Sequence, residues 1–219
     1  MKYLQTIIST LVVLALFFSG CRKIHEASNL ELTEYAWDQY EQGNYPESYT
    51  AFKEAITTDS TYQDGYNGLG WTSGKLVQMD SSIFHFTAGL PLTQPKDVVA
   101  NVRYELWAGL TFAHQAAGQD SLAILFGDSL ITDITNVIVA ETATWTFSHD
   151  EGLNHLDVRL SLATANFNRG AFGTSLGHIE SIVLEVDTSS TFIADTTTVL
   201  GRQAMAAKLE ELHDLLALP

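Results

Sequence analysis

The chain of 219 residues has one cysteine, Cys21, so no disulfide can close within it. Basic side chains are scarce as well, with 11 Lys and Arg against 26 Asp and Glu for a net charge of −15. That deficit argues against a nucleic-acid partner, because affinity for phosphate backbones comes mainly from clustered cations. It equally disfavours adhesion to anionic lipid headgroups through side-chain charge. Prolines number only 4, and a mean hydropathy of +0.05 with 11% aromatics describes a chain that can pack rather than a disordered one. The longest apolar run, Ile7 to Phe18, is interrupted only by Ser9 and Thr10 and falls short of the ~20 residues a membrane-spanning helix needs.

What is present begins with an address. Lys2 precedes that twelve-residue run, which has the length of a secretory h-region. It ends in Phe18-Ser19-Gly20-Cys21, small residues directly before a cysteine. The arrangement resembles a bacterial lipoprotein signal, although Phe18 stands where that family usually has leucine. The resemblance implies removal of residues 1–20 and lipidation of Cys21, with residues 21–28 left as a lipidated polar tether. A diacylglycerol and an amide-linked chain such as palmitate would then hold the protein firmly in the cell envelope, at the outer membrane rather than the inner.

Beyond the tether the chain repeats. Leu32-x2-Tyr35-Ala36, Gly43-Asn44-Tyr45 and Ser48-x3-Phe52-x2-Ala55 return 34 residues later as Tyr66-x2-Leu69-Gly70 and Ser82-x3-Phe86-x2-Gly89. Small residues at Ala36, Ser48 and Gly70 let antiparallel helices approach, while Tyr35, Phe52, Leu69 and Phe86 are expected to fill the space between them. Gly43-Asn44 supplies the turn. A period of about 34 residues with this layout resembles the tetratricopeptide repeat. Trp107-x2-Leu110 with Gly118-Gln119-Asp120 begins a third unit displaced by 41 residues, and Leu162-Ala163 with Gly170-Ala171-Phe172 a fourth displaced by 52. The surplus falls at Pro91–Pro95 and around Val137–Asp150, where Val-Ile-Val and Trp-Thr-Phe suit extended backbone. A polar loop over 185–197 follows, then a helix over 198–219 that places Met205, Leu209, Leu212 and Leu216 on one face. The expected fold is all-α: a short, irregular helical-hairpin solenoid of about four tetratricopeptide-like units over 29–184, closed by a C-terminal capping helix.

Three strings invite a catalytic or ligand-binding reading. Phe126-Gly127-Asp128-Ser129-Leu130 resembles the nucleophile block of GDSL esterases, but no Asp-x-x-His follows to supply its base and no Gly-x-Asn-Asp its oxyanion site. His149, Asp150, Glu151, His155 and Asp157 lack the i, i+4 histidine pair of a helical metal site and read as a loop entering a helix. Gly65-Tyr66-Asn67-Gly68-Leu69-Gly70 lacks dinucleotide-loop spacing, and close helix packing accounts for its glycines. His85, His114 and His178 read as isolated, half-buried helix residues. No enzyme, cofactor or metal is expected.

The candidate binding residues are aromatic. Trp37 and Trp71 hold equivalent places in the first two units, and Phe112 the matching place in the third. In the resembled family that face lines the concave groove, so the three would form an aromatic stripe. Tyr40 and Asn67 would be neighbours, with Gln39 and Lys75 alongside; burial of the stripe against a loop or the last helix is the competing arrangement. The sequence thus points to an interaction scaffold for an envelope protein or peptide, with membrane attachment through Cys21. Capture of an oligosaccharide or peptide for a transporter is the alternative, and esterase chemistry a remote third.

Overall fold

The computed structural model describes residues 27–92, 102–137 and 144–217. Eight helices pair into four antiparallel units: α1 (Asn29–Glu41) with α2 (Tyr45–Thr58), α3 (Gln63–Lys75) with α4 (Met79–Gly89), α5 (Val102–Ala116) with α6 (Asp120–Val137), and α7 (His155–Asn168) with α8 (Phe172–Val186). Each unit packs on the next, and the first helices α1, α3, α5 and α7 touch in a row that forms the inner layer. A ninth helix, α9 (Val199–Leu216), lies on α7 and α8. The fold is therefore the helical-hairpin solenoid with a capping helix.

Local chemistry sets the helix boundaries. Ser28 and Glu31 form a capping box at the start of α1, and Asn154 with Asp157 forms another at α7. The turn inside each unit needs a left-handed residue, supplied by Gly43, Gly118 and Gly170 at φ between 70 and 78°. In the second unit the same place is taken by Val77 at φ 61°, its side chain 81% exposed. A β-branched residue there crowds its own carbonyl and gains no burial in return. Val77→Gly is expected to stabilise the chain by about 0.5–1 kcal/mol, the ~1–2 kcal/mol left-handed penalty less the backbone entropy glycine gives up, read as a higher denaturant midpoint.

Glycines set how closely the units approach. Phe86 is fully buried with its ring against the backbones of Gly70 and Gly109, and Phe52 presses its ring on Gly68. Gly127, from the esterase-like string, sits in α6 against Leu162 and Thr111, as a close helix crossing requires. Ser82 and Ser175 donate to the carbonyls of Gly70 and Ala163, each 2.8 Å away and twelve residues back, repeating one interhelical bond in two units. Tyr35 departs from expectation. It is 46% exposed and donates to Glu47, because among the described residues no unit precedes α1 to cover it.

A second core lies under the cap. Met205, Leu209 and Leu212 bury against Leu160, Ala163, Ile179 and Ile182, with Leu216 half-buried beside them. Helix α8 runs to Val186, so the loop expected from 185 spans 187–198; it turns on Asp187 and Asp195, whose carboxylates accept from Ser189, Ser190 and Thr197, and the hydroxyls hold Asp187 down to about 2. The surplus residues between the third and fourth units include the only strands among those described, β1 (Thr146–Phe147) and β2 (Asp150–Asn154), paired antiparallel with an irregular register. Residues 1–26, which contain the signal-like run and Cys21, lie outside the described residues, as do 93–101 and 138–143.

Candidate functional site

The inner layer does carry the aromatic row, but the row is not open. Trp37, Tyr40, Asn67 and Trp71 are all buried and Phe112 is half-buried, so of the two arrangements the sequence leaves open, an exposed stripe or one buried against a loop, the structure has the covered one. The cover is the β1–β2 hairpin. Phe147 stacks on Trp71 at 4.2 Å between ring centroids and meets Trp37 and Tyr40 edge-on at 6.0 and 6.1 Å. His149 lies flat on the Trp37 indole at 3.6 Å and bonds the Glu41 carboxylate at 2.9 Å. Aromatic surface on the inner layer is thus satisfied by aromatic surface from the same chain, which removes it from water.

Beneath the hairpin runs a polar chain that sequence reading missed. The Trp37 indole N–H donates to Asp64 at 3.1 Å, and the Asn67 amide donates to Asp64 at 3.2 Å and to Glu105 at 2.5 Å. Glu105 also accepts the hydroxyl and amide of Ser148 from the hairpin turn. Burial pushes both carboxyls above their ordinary values, against the pull of these hydrogen bonds. The displacement that relates Trp71 to Phe112, 41 residues, also relates Asp64 to Glu105. Extending the repeat register to acidic residues would have found the pair.

The sign of the pH effect follows from that burial. Between the ordinary carboxylate value and its raised folded value, the folded chain holds a proton on Glu105 that the unfolded chain has lost. Stability therefore falls as pH rises through that window and levels off above it. His178 runs the other way: burial lowers it to about 4, so its contribution is lost as pH falls from 6.5 toward 4. Glu105→Gln isolates the first effect, since His178 is common to both proteins. Melting curves from pH 5 to 8 should decline less steeply for the variant than for the wild type.

The remaining candidates separate. Gln39 accepts from Asn44 at the turn, and Lys75 pairs with Asp150 at 3.7 Å with its ammonium 5.9 Å from the Tyr40 ring. His155 is buried and bonds Glu185 at 2.6 Å, while Asp157 caps α7, so the acidic-histidine string disperses into a turn and a cap. His114 is buried rather than half-buried, bonded to Gln119 and stacked on Phe126. Ser129 lies within α6 and donates to the Leu125 carbonyl at 2.8 Å, a hydroxyl turned back on its own helix.

Two concavities stay open beside the hairpin. One, of about 220 Å³, lies between α3, α4 and α5; Trp71, Gly74, Met79, Phe112 and Ala116 line it, with Lys75 at its edge. Gly70 and Gly109 also line it, and its lining is almost wholly apolar. The other, of about 270 Å³, lies between α1, Tyr62, Asp64 and His149 and carries Glu34, Asp38 and Glu41 around it.

No protein-family model and no curated protein matches the chain. Among solved structures it is similar to the TPR-like repeats of a Podosopora anserina protein assigned as a kinesin light chain. That likeness covers 86% of this chain and 96% of the other at 11% identity, with a TM-score of 0.55. At that identity it shows the fold alone: tetratricopeptide-like helical repeats.

Proposed function

We propose that the chain is an exported, lipid-anchored envelope protein that holds a partner protein or peptide on the inner layer of its repeats, without catalysis of its own. The observation that carries the scaffold reading is the apolar concavity beside Trp71 and Phe112, which has the size and chemistry to take one apolar side chain of a partner. The anchoring rests on the Ile7–Cys21 sequence pattern. Sugar capture finds less support, because the amide of Asn67 is committed to Asp64 and Glu105 beneath the hairpin.

The test uses affinity capture from detergent-solubilised host membranes. Trp37 and Trp71 are core residues, so the informative variant alters the edge of the concavity instead: Met79→Glu with Ala116→Glu. The wild type is expected to recover a discrete protein at least ten times more efficiently than the variant. Recovery of no protein by the wild type sinks the scaffold reading. In the same host, Cys21→Ser should abolish incorporation of labelled palmitate, and persistent labelling would rule out Cys21 as the attachment point.

A further inference from the structure

The hairpin sits on the inner layer as an extended ligand would. It touches three successive units with alternating purpose: Phe147 on Trp71, Ser148 on Glu105, and His149 on Trp37 and Glu41. Its fit is incomplete. The Tyr40 hydroxyl, the Trp71 indole N–H and the Asn67 side-chain oxygen below it, and the Trp145 indole N–H within it, are buried with no hydrogen-bond partner among the described residues. Each such group weakens the seat relative to an occupant that would bond it. The hairpin's edge pairs, Lys75 with Asp150 and Glu41 with His149, are partly exposed and hold it only lightly. Two short strands with a shifted register have little stability of their own. The helices, by contrast, pack through Phe52 on Gly68 and Phe86 between Gly70 and Gly109, contacts the hairpin does not make.

We propose that the 144–154 hairpin is a self-ligand, exchanged on the inner layer for an extended partner segment that carries an aromatic–x–aromatic–hydroxyl pattern like Trp145-Thr146-Phe147-Ser148. The proposal rests on the scaffold reading and names the partner's chemistry. A better occupant offers a carbonyl to the Trp71 indole and an N–H to the Asn67 oxygen. It leaves the helical stack as it stands.

The probe is a fluorescein-labelled peptide of residues 144–154, added to the full chain and to a Ser148→Ala, His149→Ala variant that removes the turn's hold on Glu105, Trp37 and Glu41 while placing no substitution in a helix. The variant is expected to bind the peptide at least tenfold more tightly than the wild type, and a peptide with alanine at Trp145 and Phe147 should not compete. A folded variant that binds no more tightly than wild type overturns the proposal. Hydrogen exchange on the wild type decides independently of how the variant folds. Peptides covering 146–154 should exchange at least tenfold faster than the slowest amides of α7, whereas equal rates would mean the hairpin leaves only on global unfolding and would overturn it. A variant that becomes a dimer, by light scattering, would assign the groove to a second copy and also overturn it. Capture of a partner by wild type with no gain in the variant keeps the scaffold and rejects the self-ligand; peptide exchange without any captured partner does the reverse.

Discussion

Replacing Gly109 by alanine is expected to cost the fold about 3 kcal/mol, at the upper end of what one surplus methyl does in a packed core. A Cβ at Gly109 would stand 2.2 Å from the Phe86 ring, where ordinary carbon contacts need about 3.5–4.0 Å. The ring has little room to retreat, because it also packs on the Gly70 backbone, where a Cβ would come within 2.3 Å. Phe86 therefore works as a joint clamped between the backbones of α3 and α5, and it fixes the spacing of the second and third units. The check is a denaturant titration of Gly109→Ala alone and with Phe86→Leu. The smaller side chain should recover part of the loss, with a coupling of about 1–2 kcal/mol between the sites. Additive losses would mean that the clamp is not what sets the spacing.

The joint explains why so much of the fold was legible. A helix crossing needs a small residue and a large facing side chain, and within each pair of units that demand imprints itself at one shared displacement. Ala36 and Gly70, Phe52 and Phe86, and the turns at Gly43, Gly118 and Gly170 all follow from it. The turn at Val77 escaped because nothing in the residue type announces a left-handed conformation. The candidate site was legible in position but not in state. Trp37, Trp71 and Phe112 do lie along the inner layer, yet their exposure depends on an insertion whose sequence has no repeat partner to align with. Trp145-Thr146-Phe147 could be read as extended from its residue types, but where the strand folds back is a tertiary fact. The buried pair Asp64 and Glu105 was hidden by a sound prior, that carboxylates on repeat helices are solvated. Hydrogen bonds from Trp37, Asn67 and Ser148 help make their burial tolerable.

The C-terminal cap should fail separately from the repeats. Gly201 lies in the first turn of α9, its N–H donating to the Thr198 hydroxyl at 3.0 Å. A Cβ there would stand 1.9 Å from the Asp195 carbonyl oxygen, which is backbone and is already fixed by donors from Thr198 at 3.2 and 3.1 Å. The Asp195 carboxylate in turn accepts from the amide and hydroxyl of Thr197, so the turn cannot yield without losing its own bonds. Gly201→Ala must pull the turn off the helix or lift the helix off α7 and α8, at a cost of about 3 kcal/mol. Because solenoid units gain stability mainly from their neighbours, that cost should fall on α9 and the 187–198 loop while the units before it persist. Limited trypsin digestion is expected to cut at Arg202 and Lys208 about 100-fold faster in the variant, the population change that a local loss of this size produces. The helical signal of the remaining chain should melt where the wild type does. A single transition shifted as a whole would instead show that cap and repeats fold as one unit, and the neighbour-only account of this solenoid would have to be abandoned.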